Sequence, residues 1–180
     1  MLSQLDANLP QFLYTSNEVC YIEPFVGGGA MLFHMLQKFP NITRVIINDI
    51  NEELIACYRT IKDTPTGLVS KLKGIEDEFL SEKQDVRQKL FYAYRDDFNN
   101  KANLTDVDKC ALFIFLNRTC FNGLFRVNLQ GGFNVPYGYG SGYDELEGLC
   151  VIDGVWYMSW NVTGSVIRIT KGVPIGSKYV

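Results

Sequence analysis

The sequence predicts an α/β fold that carries an inserted helical subdomain, and three observations support this. An apolar run ends at Glu23 and is followed by a proline and three glycines, residues 27–29, before an apolar helical pattern begins. A second apolar run, residues 45–47, ends at Asn48 and Asp49. Three helical patterns then follow without strands between them, whereas a complete doubly wound sheet alternates strands with helices.

Length and composition are those of an ordinary globular protein. The 180 residues suffice for one domain with a real core, and 47% apolar and 21% charged residues are typical values. A net charge of −3 argues against a general attraction to nucleic acid, so any nucleic-acid surface must be local. Neither a membrane span nor a signal segment after Met1 is recognisable, which predicts a cytoplasmic protein.

The cysteines and the single histidine do not indicate a metal or catalytic site. The five cysteines lack metal-ligand spacing, and three of them lie in apolar stretches, where cysteine packs as a small hydrophobic residue. His34 lies in an apolar helical pattern, so we interpret it as a packed residue. We therefore predict no metal site and no Ser/His/Asp chemistry.

The glycine turn predicts a ligand site. Glycines let the backbone approach a ligand closely, and the amides of the following helix start favour polar or anionic groups. Asp49 lies about twenty residues further on, where an α/β fold places the acid that accepts from adenosine ribose hydroxyls. The alternative is a structural strand–helix turn with Asp49 capping the next helix. A nicotinamide-dependent oxidoreductase is disfavoured because the third glycine of its fingerprint would fall at Leu32.

Helical periodicity covers most of residues 64–116. Three helix-start signatures are present: Thr64-Pro65, Ser81 with Gln84, and Thr105 with Asp108. The first helix has one apolar face, made of Leu68, Leu72, Ile75 and Phe79. The second has the inward positions Val86, Leu90, Ala93, Tyr94 and Phe98. The third is almost wholly apolar over residues 110–116, which predicts that it is buried.

Residues 117–140 differ in character from the rest of the chain. They include Arg118 and Arg126, no carboxylate, and a mixture of amides, aromatic rings and glycines. Arginine reads guanine edges or phosphates, asparagine pairs with adenine, and aromatic rings fill an opened base step. The alternative is a glycine-rich β-hairpin with polar turns. Beyond it, short apolar runs separated by glycines predict short strands over residues 141–180, without a motif.

Together, three motifs resemble those of the Dam-type adenine-specific DNA methyltransferases. They are Glu-Pro-Phe-Val-Gly-Gly-Gly at 23–29, Asn-Asp-Ile-Asn at 48–51, and the run from Leu-Asn-Arg at 116 to Pro-Tyr-Gly at 138. The resemblance extends from about Leu2 to Gly140. It implies part of a Rossmann-like methyltransferase domain over 1–63, a helical target-recognition subdomain inserted over 64–140, and a divergent tail over 141–180. It further implies S-adenosylmethionine as cofactor and double-stranded DNA as partner.

The resemblance also assigns roles to individual residues. The methionine-side wall of the cofactor pocket would be formed by Glu23, Pro24, Phe25, Gly27 and Gly29. Asp49 would hold the ribose, with Ile50 beside it in the pocket. In the recognition loop, Phe121 would wedge into the duplex beside the flipped base, with Asn122 nearby. Target bases would be contacted by Leu124, Arg126 and Pro136, and Arg118 would help to order the loop.

Two departures from the family pattern bear on activity. The family begins with a lysine-bearing segment that touches the cofactor, and this chain starts just after the corresponding position. Transfer to the adenine amine uses an Asp/Asn-Pro-Pro-aromatic loop that orients the flipped amine. The six prolines of this chain include no adjacent pair, and none follows Asp or Asn. We therefore assign no catalytic residue and expect impaired methylation, with a non-catalytic DNA-binding remnant as the main alternative. A native tail, a frame-shifted tail and a fragment end all remain open for residues after Gly140.

Overall fold

The computed structural model describes residues 5–100 and 102–138, together with the backbone of strands at 149–152, 155–160 and 165–169. Two compact units are present. The first consists of Met1–Leu54 with Cys150–Val180, and the second of Ile55–Leu149.

The first unit contains a small parallel sheet. Its elements are α1 (Phe12–Thr15), β1 (Val19–Glu23), α2 (Ala30–Lys38) and β2 (Ile42–Ile47). Strands β1 and β2 pair in parallel, so that Glu23 lies opposite Ile47 and both strands end at the same edge. This arrangement confirms the two predicted strands and places the glycine turn and Asp49 at one edge of the sheet.

Apolar residues from both strands and from α2 form the core beneath this sheet, namely Leu13, Val19, Val26, Leu32, Met35, Phe39, Ile42 and Val45. Polar contacts hold its margin. The Asn41 side chain donates to the carbonyl oxygens of Leu13 and Ser16, at 2.9 and 2.8 Å. The His34 Nε2 lies 2.6 Å from an Asp6 carboxylate oxygen, and Lys38 pairs with the other oxygen at 2.9 Å.

Three further strands lie in the tail, β3 (Leu149–Ile152), β4 (Val155–Trp160) and β5 (Ser165–Ile169). They form a sheet in the order β3-β4-β5, in which β4 and β5 are antiparallel. The predicted short strands of the tail are therefore present in the described backbone.

The second unit is mostly helical. Helix α3 (Glu52–Asp63) leads into it from the first unit, and α4 (Pro65–Ser81), α5 (Gln84–Asn100) and α6 (Asp106–Thr119) follow. Pro65 occupies the first turn of α4 as predicted. Thr105 and Asp108 form a reciprocal capping box at the start of α6, also as predicted.

One local prediction is wrong, and another holds only in part. Ser81 does not cap α5, because it ends α4 and its hydroxyl donates to the Glu78 carbonyl oxygen at 2.8 Å. On α5, Phe98 is buried as predicted and Val86, Leu90 and Tyr94 are half-buried, whereas Ala93 is exposed. The prediction omitted Phe91, which is fully buried and packs against Tyr137 at 5.3 Å between ring centroids.

An aromatic cluster forms the core of this unit. Phe79, Phe91 and Phe115 are fully buried, and the Phe79 and Phe115 rings meet edge to face at 5.1 Å. Helix α6 contributes buried residues along most of the stretch 110–116, as predicted. No helix in the described part of the chain is both long and apolar enough to cross a membrane.

Candidate functional site

The turn between β1 and α2 depends on glycine at two positions. Gly27 has φ 48° and Gly29, the N-cap of α2, has φ 75°, which are left-handed values that side chains rarely adopt. The Gly29 backbone N–H donates to the Val26 carbonyl at 2.9 Å, and the Val26 N–H donates to the Asn48 carbonyl at 2.9 Å. The turn is thus tied both to itself and to the residue that precedes Asp49.

Asp49 connects the two strand ends. One carboxylate oxygen, Oδ2, accepts from the Gly27 N–H at 2.9 Å, and the other, Oδ1, accepts from the Asn51 N–H at 2.9 Å. The side-chain cap of α3 comes instead from Asn51, whose Oδ1 accepts from the Leu54 N–H at 3.2 Å. A carboxylate has about four lone-pair positions, so the hydrogen bonds among the described residues leave one on each oxygen for a further donor.

Two large apolar side chains next to Asp49 and Gly27 face solvent. Phe25 is 85% exposed and Ile50 is 97% exposed. Exposed apolar groups beside a fixed carboxylate suit a ligand with both an apolar, planar part and hydroxyl groups. Pro24 is exposed as well, so the predicted cofactor residues are brought together at one sheet edge.

Glu23 is half-buried at the end of β1. Burial raises the pKa of its carboxyl group, against hydrogen bonds from the Tyr21 hydroxyl and the Leu32 backbone that favour the charged form. The Tyr21 hydroxyl donates to Glu23 Oε2 at 2.8 Å, and burial together with this acceptor raises the pKa of the phenol. The wall of the turn therefore contains an oriented acid whose proton is held more tightly than usual.

Residues 117–138 form an irregular hairpin after α6, which we call the hairpin 117–138. Two antiparallel bridges join its arms, Cys120 with Tyr137 and Val127 with Phe133. This observation agrees with the β-hairpin alternative for the conformation, and it leaves the predicted role of its side chains open. Residue 138 must be glycine, because a Cβ atom there would lie 2.8 Å from the Cys120 carbonyl oxygen.

The hairpin 117–138 presents most of the predicted DNA contacts to solvent. Phe121, Asn122, Leu124, Arg126 and Pro136 are exposed, and Arg118 is half-buried at the end of α6. The Phe121 N–H donates to the Pro136 carbonyl at 2.9 Å, so these two lie side by side. Asn122 has a left-handed backbone, φ 57°, within the short 3-10 turn at Phe121–Gly123.

Arg126 lies further along the hairpin 117–138, where it is held by Asn134. Its Nε donates to Asn134 Oδ1 at 2.8 Å, and its Nη2 donates to the Asn134 carbonyl oxygen at 3.3 Å. The Asn134 N–H returns a hydrogen bond to the Arg126 carbonyl at 3.1 Å. Arg126 therefore has a fixed direction although it is exposed.

Comparison with known proteins identifies the chain. The family model of the D12 class N6 adenine-specific DNA methyltransferases matches residues 1–141, which is well over half of the chain. The chain belongs to this family. The three sequence motifs that resemble Dam-type enzymes all lie inside the matched range, so that prediction is confirmed.

Individual relatives agree with the family. The chain is 52% identical over 139 residues, 77% of its length, to the Type II methyltransferase M.MjaIII of Methanocaldococcus jannaschii. It is 36% identical over 133 residues, 71% of its length, to the Type II methyltransferase M1.LlaDCHI of Lactococcus lactis. It is 34% identical over 119 residues, 66% of its length, to the DNA adenine methylase of Escherichia coli K12. The chain spans 48%, 42% and 38% of these relatives, so it covers about half of their length or less.

The sequence reasoning missed two side chains that organise the hairpin 117–138, one outside it and one within it. Asn99 of α5 donates from Nδ2 to the Phe133 carbonyl at 3.0 Å and accepts from the Phe133 N–H at 2.7 Å. Asn134 lies within the third motif, which assigns it no role, and it holds the Arg126 side chain. Asn99 reads as a helix-end signal in the sequence, and its partner is 34 residues away, so no local pattern could have revealed the contact.

The described residues contain no cluster of three or more histidine, cysteine, aspartate or glutamate side chains that could hold a metal ion. Of the described cysteines, Cys20 is exposed and Cys57, Cys110 and Cys120 are buried. Burial raises the pKa of the Cys120 thiol to about 11. This thiol is therefore neutral at physiological pH and takes part in packing at the base of the hairpin 117–138.

Proposed function

We propose that this chain binds S-adenosylmethionine at the glycine turn and duplex DNA through the hairpin 117–138, as the cofactor-holding and target-reading portion of an adenine N6 methyltransferase. The observation that carries the proposal is Asp49, which accepts one hydrogen bond on each oxygen, from Gly27 and Asn51, and has room on each for another donor as far as the described residues show. An acid fixed in this way is ready to accept two neighbouring ribose hydroxyls without further ordering.

The chain's own residues suit the rest of the cofactor. When bound, S-adenosylmethionine supplies an activated methyl group. Phe25 and Ile50, both largely exposed, would cover apolar faces of the ligand. Gly27 and Gly29 leave room for close approach of the ligand to the backbone, and the half-buried Glu23 would accept a hydrogen bond from its polar end. The strand–turn–helix–strand order supports a Rossmann-like domain, and the helices of the second unit support a recognition subdomain inserted into it.

The DNA part of the proposal rests on the exposed side of the hairpin 117–138. Phe121 is 48% exposed and Leu124 is 51% exposed, beside Asn122 and Pro136. Apolar wedges of this kind can enter an opened base step, and flipping the target base is the way such enzymes reach an exocyclic amine. No carboxylate lies in residues 117–138 to repel phosphates.

We test the cofactor site by calorimetric titration of S-adenosylmethionine and S-adenosylhomocysteine. A hydrogen bond to a charged group is worth about 1.5–3 kcal/mol, so Asp49→Ala should weaken binding at least about tenfold. Asp63→Ala is the matched control, because the Asp63 side chain is 65% exposed and pairs only loosely with Lys62. Equal affinity in parent and Asp49→Ala would refute this pocket, and tighter binding of NAD would favour the oxidoreductase.

Methyl transfer requires more than these two surfaces. Orientation of the reacting groups can contribute about 7–11 kcal/mol to lowering a barrier, and the 180 residues contain no Asp/Asn-Pro-Pro-aromatic loop to supply it. We therefore expect DNA and cofactor binding by these residues without tritium transfer from labelled S-adenosylmethionine to duplex DNA. Steady turnover that is abolished by Asp49→Ala would show that another segment orients the adenine.

A non-catalytic DNA-binding role is the second candidate, because the exposed apolar and amide side chains of the hairpin 117–138 can bind a duplex without any transfer of a methyl group. Mobility-shift and methyl-transfer assays on the same duplex separate the two. Binding with transfer identifies an enzyme, whereas binding without transfer, at saturating S-adenosylmethionine, identifies a DNA-binding protein.

A further inference from the structure

The Arg126 side chain uses only one edge of its guanidinium group within the hairpin 117–138. A guanidinium has five N–H donors in a fixed planar arrangement. Asn134 takes the edge formed by Nε and Nη2, through its side-chain and backbone oxygens. The other edge, formed by Nη1 and the second N–H of Nη2, is used by no hydrogen bond among the described residues.

The partner residue is itself held firmly. Phe133 and Val135 are each 2% exposed, whereas Asn134 between them is only half-buried and lies on the solvent side of this arm. The backbone of Phe133 is clamped on both sides by Asn99, at 2.7 and 3.0 Å. Asn134 therefore projects from an anchored arm towards the more exposed arm that carries Arg126.

We propose that Asn134 is a positioning residue for sequence recognition, which sets Arg126 so that its Nη1/Nη2 edge, and not its Nε edge, meets the DNA. This inference rests on the proposed DNA-binding function. An arginine presented by this edge makes two parallel hydrogen bonds to a base with two adjacent acceptors, such as guanine O6 and N7. An arginine that is free to rotate would satisfy phosphates equally well and would discriminate less.

The predicted signature is a selective loss of preference at one base position. A good paired contact is worth about 1–3 kcal/mol, so Arg126→Ala should lower preference at the position it reads by about five- to 150-fold. Asn134→Ala should lower preference at that same position at least about fivefold and leave the other positions unchanged. In the Arg126→Ala background, Asn134→Ala should have no further effect on preference, because the side chain it positions is gone.

Two additional variants separate positioning from a general effect on folding. Asn134→Asp keeps an acceptor for Nε, so it should retain the preference ratio while weakening all duplexes through its negative charge. Asn128→Ala is the matched control. The Asn128 side chain accepts from the Gln130 and Gly132 N–H groups at 3.0 and 2.9 Å, so it shapes the tip of the same hairpin, whereas the Arg126 side chain donates to Asn134.

The experiment uses the 180-residue protein and a pool of duplexes randomised over a central segment. Bound duplexes are sequenced for the parent and each variant, and dissociation constants for the preferred duplex and its single-base variants are then measured by fluorescence anisotropy at one salt concentration. Thermal unfolding verifies that each variant is folded.

A parent without any sequence preference would overturn the proposed DNA reading and this inference together. A parent preference that survives in Asn134→Ala, a uniform loss across all duplexes, or an equal loss in the Arg126→Ala background would overturn the inference alone.

Discussion

The glycine turn and the hairpin 117–138 both carry side chains that we propose to bind ligands, but these side chains are held in different ways. At the turn, Asp49 is fixed by backbone N–H groups, and the contact from Gly27 spans 22 residues across two adjacent parallel strands. In the hairpin 117–138, side chains add to the backbone bridges between the arms. Asn99 of another helix holds Phe133, and Asn134 holds Arg126.

This difference determines what each loop can tolerate. A loop held by its own backbone needs particular φ angles and therefore glycine, but it needs few particular neighbours. A loop held by side chains and buried rings depends on residues in other elements, because each anchor is a separate tertiary contact. Substitutions outside the loop should therefore matter much more for the hairpin 117–138 than for the turn.

Removal of the main aromatic anchor should have the largest effect. Tyr137 is 6% exposed, its ring packs against Phe91 at 5.3 Å, and its hydroxyl accepts from Gln84 at 3.3 Å. Removal of a buried aromatic ring costs about 3–5 kcal/mol, so Tyr137→Ala should lower the free energy of unfolding by that amount and abolish DNA binding. Urea unfolding and mobility shift measure the two effects.

The control for this change is Tyr137→Phe, which keeps the ring and loses the hydrogen bond that the hydroxyl accepts from Gln84. We expect it to cost about 0.5–1.5 kcal/mol and to leave DNA binding intact. If Tyr137→Ala and Tyr137→Phe destabilised the protein equally, ring packing would not anchor the hairpin 117–138.

The fold was predictable from sequence where local signals decide it. The strand ends at Glu23 and Ile47, the start of α4 at Pro65 and the capping box of Thr105 all follow from short-range chemistry. The inward face of α5 was predicted only in part: Phe98 is buried as expected, but Ala93 is exposed and the buried Phe91 was omitted. Phe91 lies at helical spacing from Tyr94 and Phe98, whereas its contact with Tyr137 joins distant parts of the chain and leaves no local pattern.

The amide clamp should show the next largest effect. In Asn99→Leu, the N–H and carbonyl of Phe133 lose their partners, and unsatisfied polar groups at a buried site cost about 1–3 kcal/mol. Asn100→Leu is the matched control, since Asn100 is the exposed neighbour at the end of the same helix. We expect weaker DNA binding in Asn99→Leu alone, measured by anisotropy. Equal effects of the two changes would contradict the clamp.

The same contrast explains how much of the candidate site was predictable. Asp49 and the glycines are recognisable because the left-handed backbone at Gly27 and Gly29 and the strand end before Asp49 restrict the residue type at each position. Asn99 and Asn134 are not, because an asparagine that bonds a distant backbone group looks like any helix end or turn residue until the chain is folded. Sequence identifies the groups that meet a ligand more readily than those that hold them in place.

The helix leading into the hairpin 117–138 offers a smaller and pH-dependent test. Hydrogen bonds from Lys71, then Thr105, lower the pKa of Asp108 to about 2. A lowered pKa stabilises the fold above the ordinary value of 3.8, and this contribution disappears as the pH falls through about 2. Asp108→Asn removes the charge that pairs with Lys71, and since a solvent-screened ion pair contributes about 0.2–1 kcal/mol, it should cost no more than that at neutral pH and less near pH 2.

Asp106→Asn is the control for that test, because Asp106 is an exposed acid in the same first turn. Urea midpoints are compared for both variants and the parent at several pH values. A cost for Asp108→Asn that did not shrink towards pH 2 would mean that the capping box acts through geometry and not through the carboxylate charge.

The smallest predicted effect belongs to the turn, and it distinguishes the two loops by their titration. Residues 117–138 contain neither a carboxylate nor a histidine, whereas the turn contains the half-buried Glu23. Burial raises the pKa of Glu23, so the folded state binds its proton more tightly than the unfolded state. The stability that this group contributes is complete below its ordinary pKa of 4.5 and is lost as the pH rises through the raised pKa.

Glu23→Gln removes this loss, so the gain in unfolding free energy over the parent should grow from pH 4 to pH 7, as measured by urea unfolding. Glu18→Gln, at an exposed site just before β1, should show no such trend. A constant difference between parent and Glu23→Gln across this range would mean that Tyr21 and the Leu32 backbone offset the burial of the carboxylate completely.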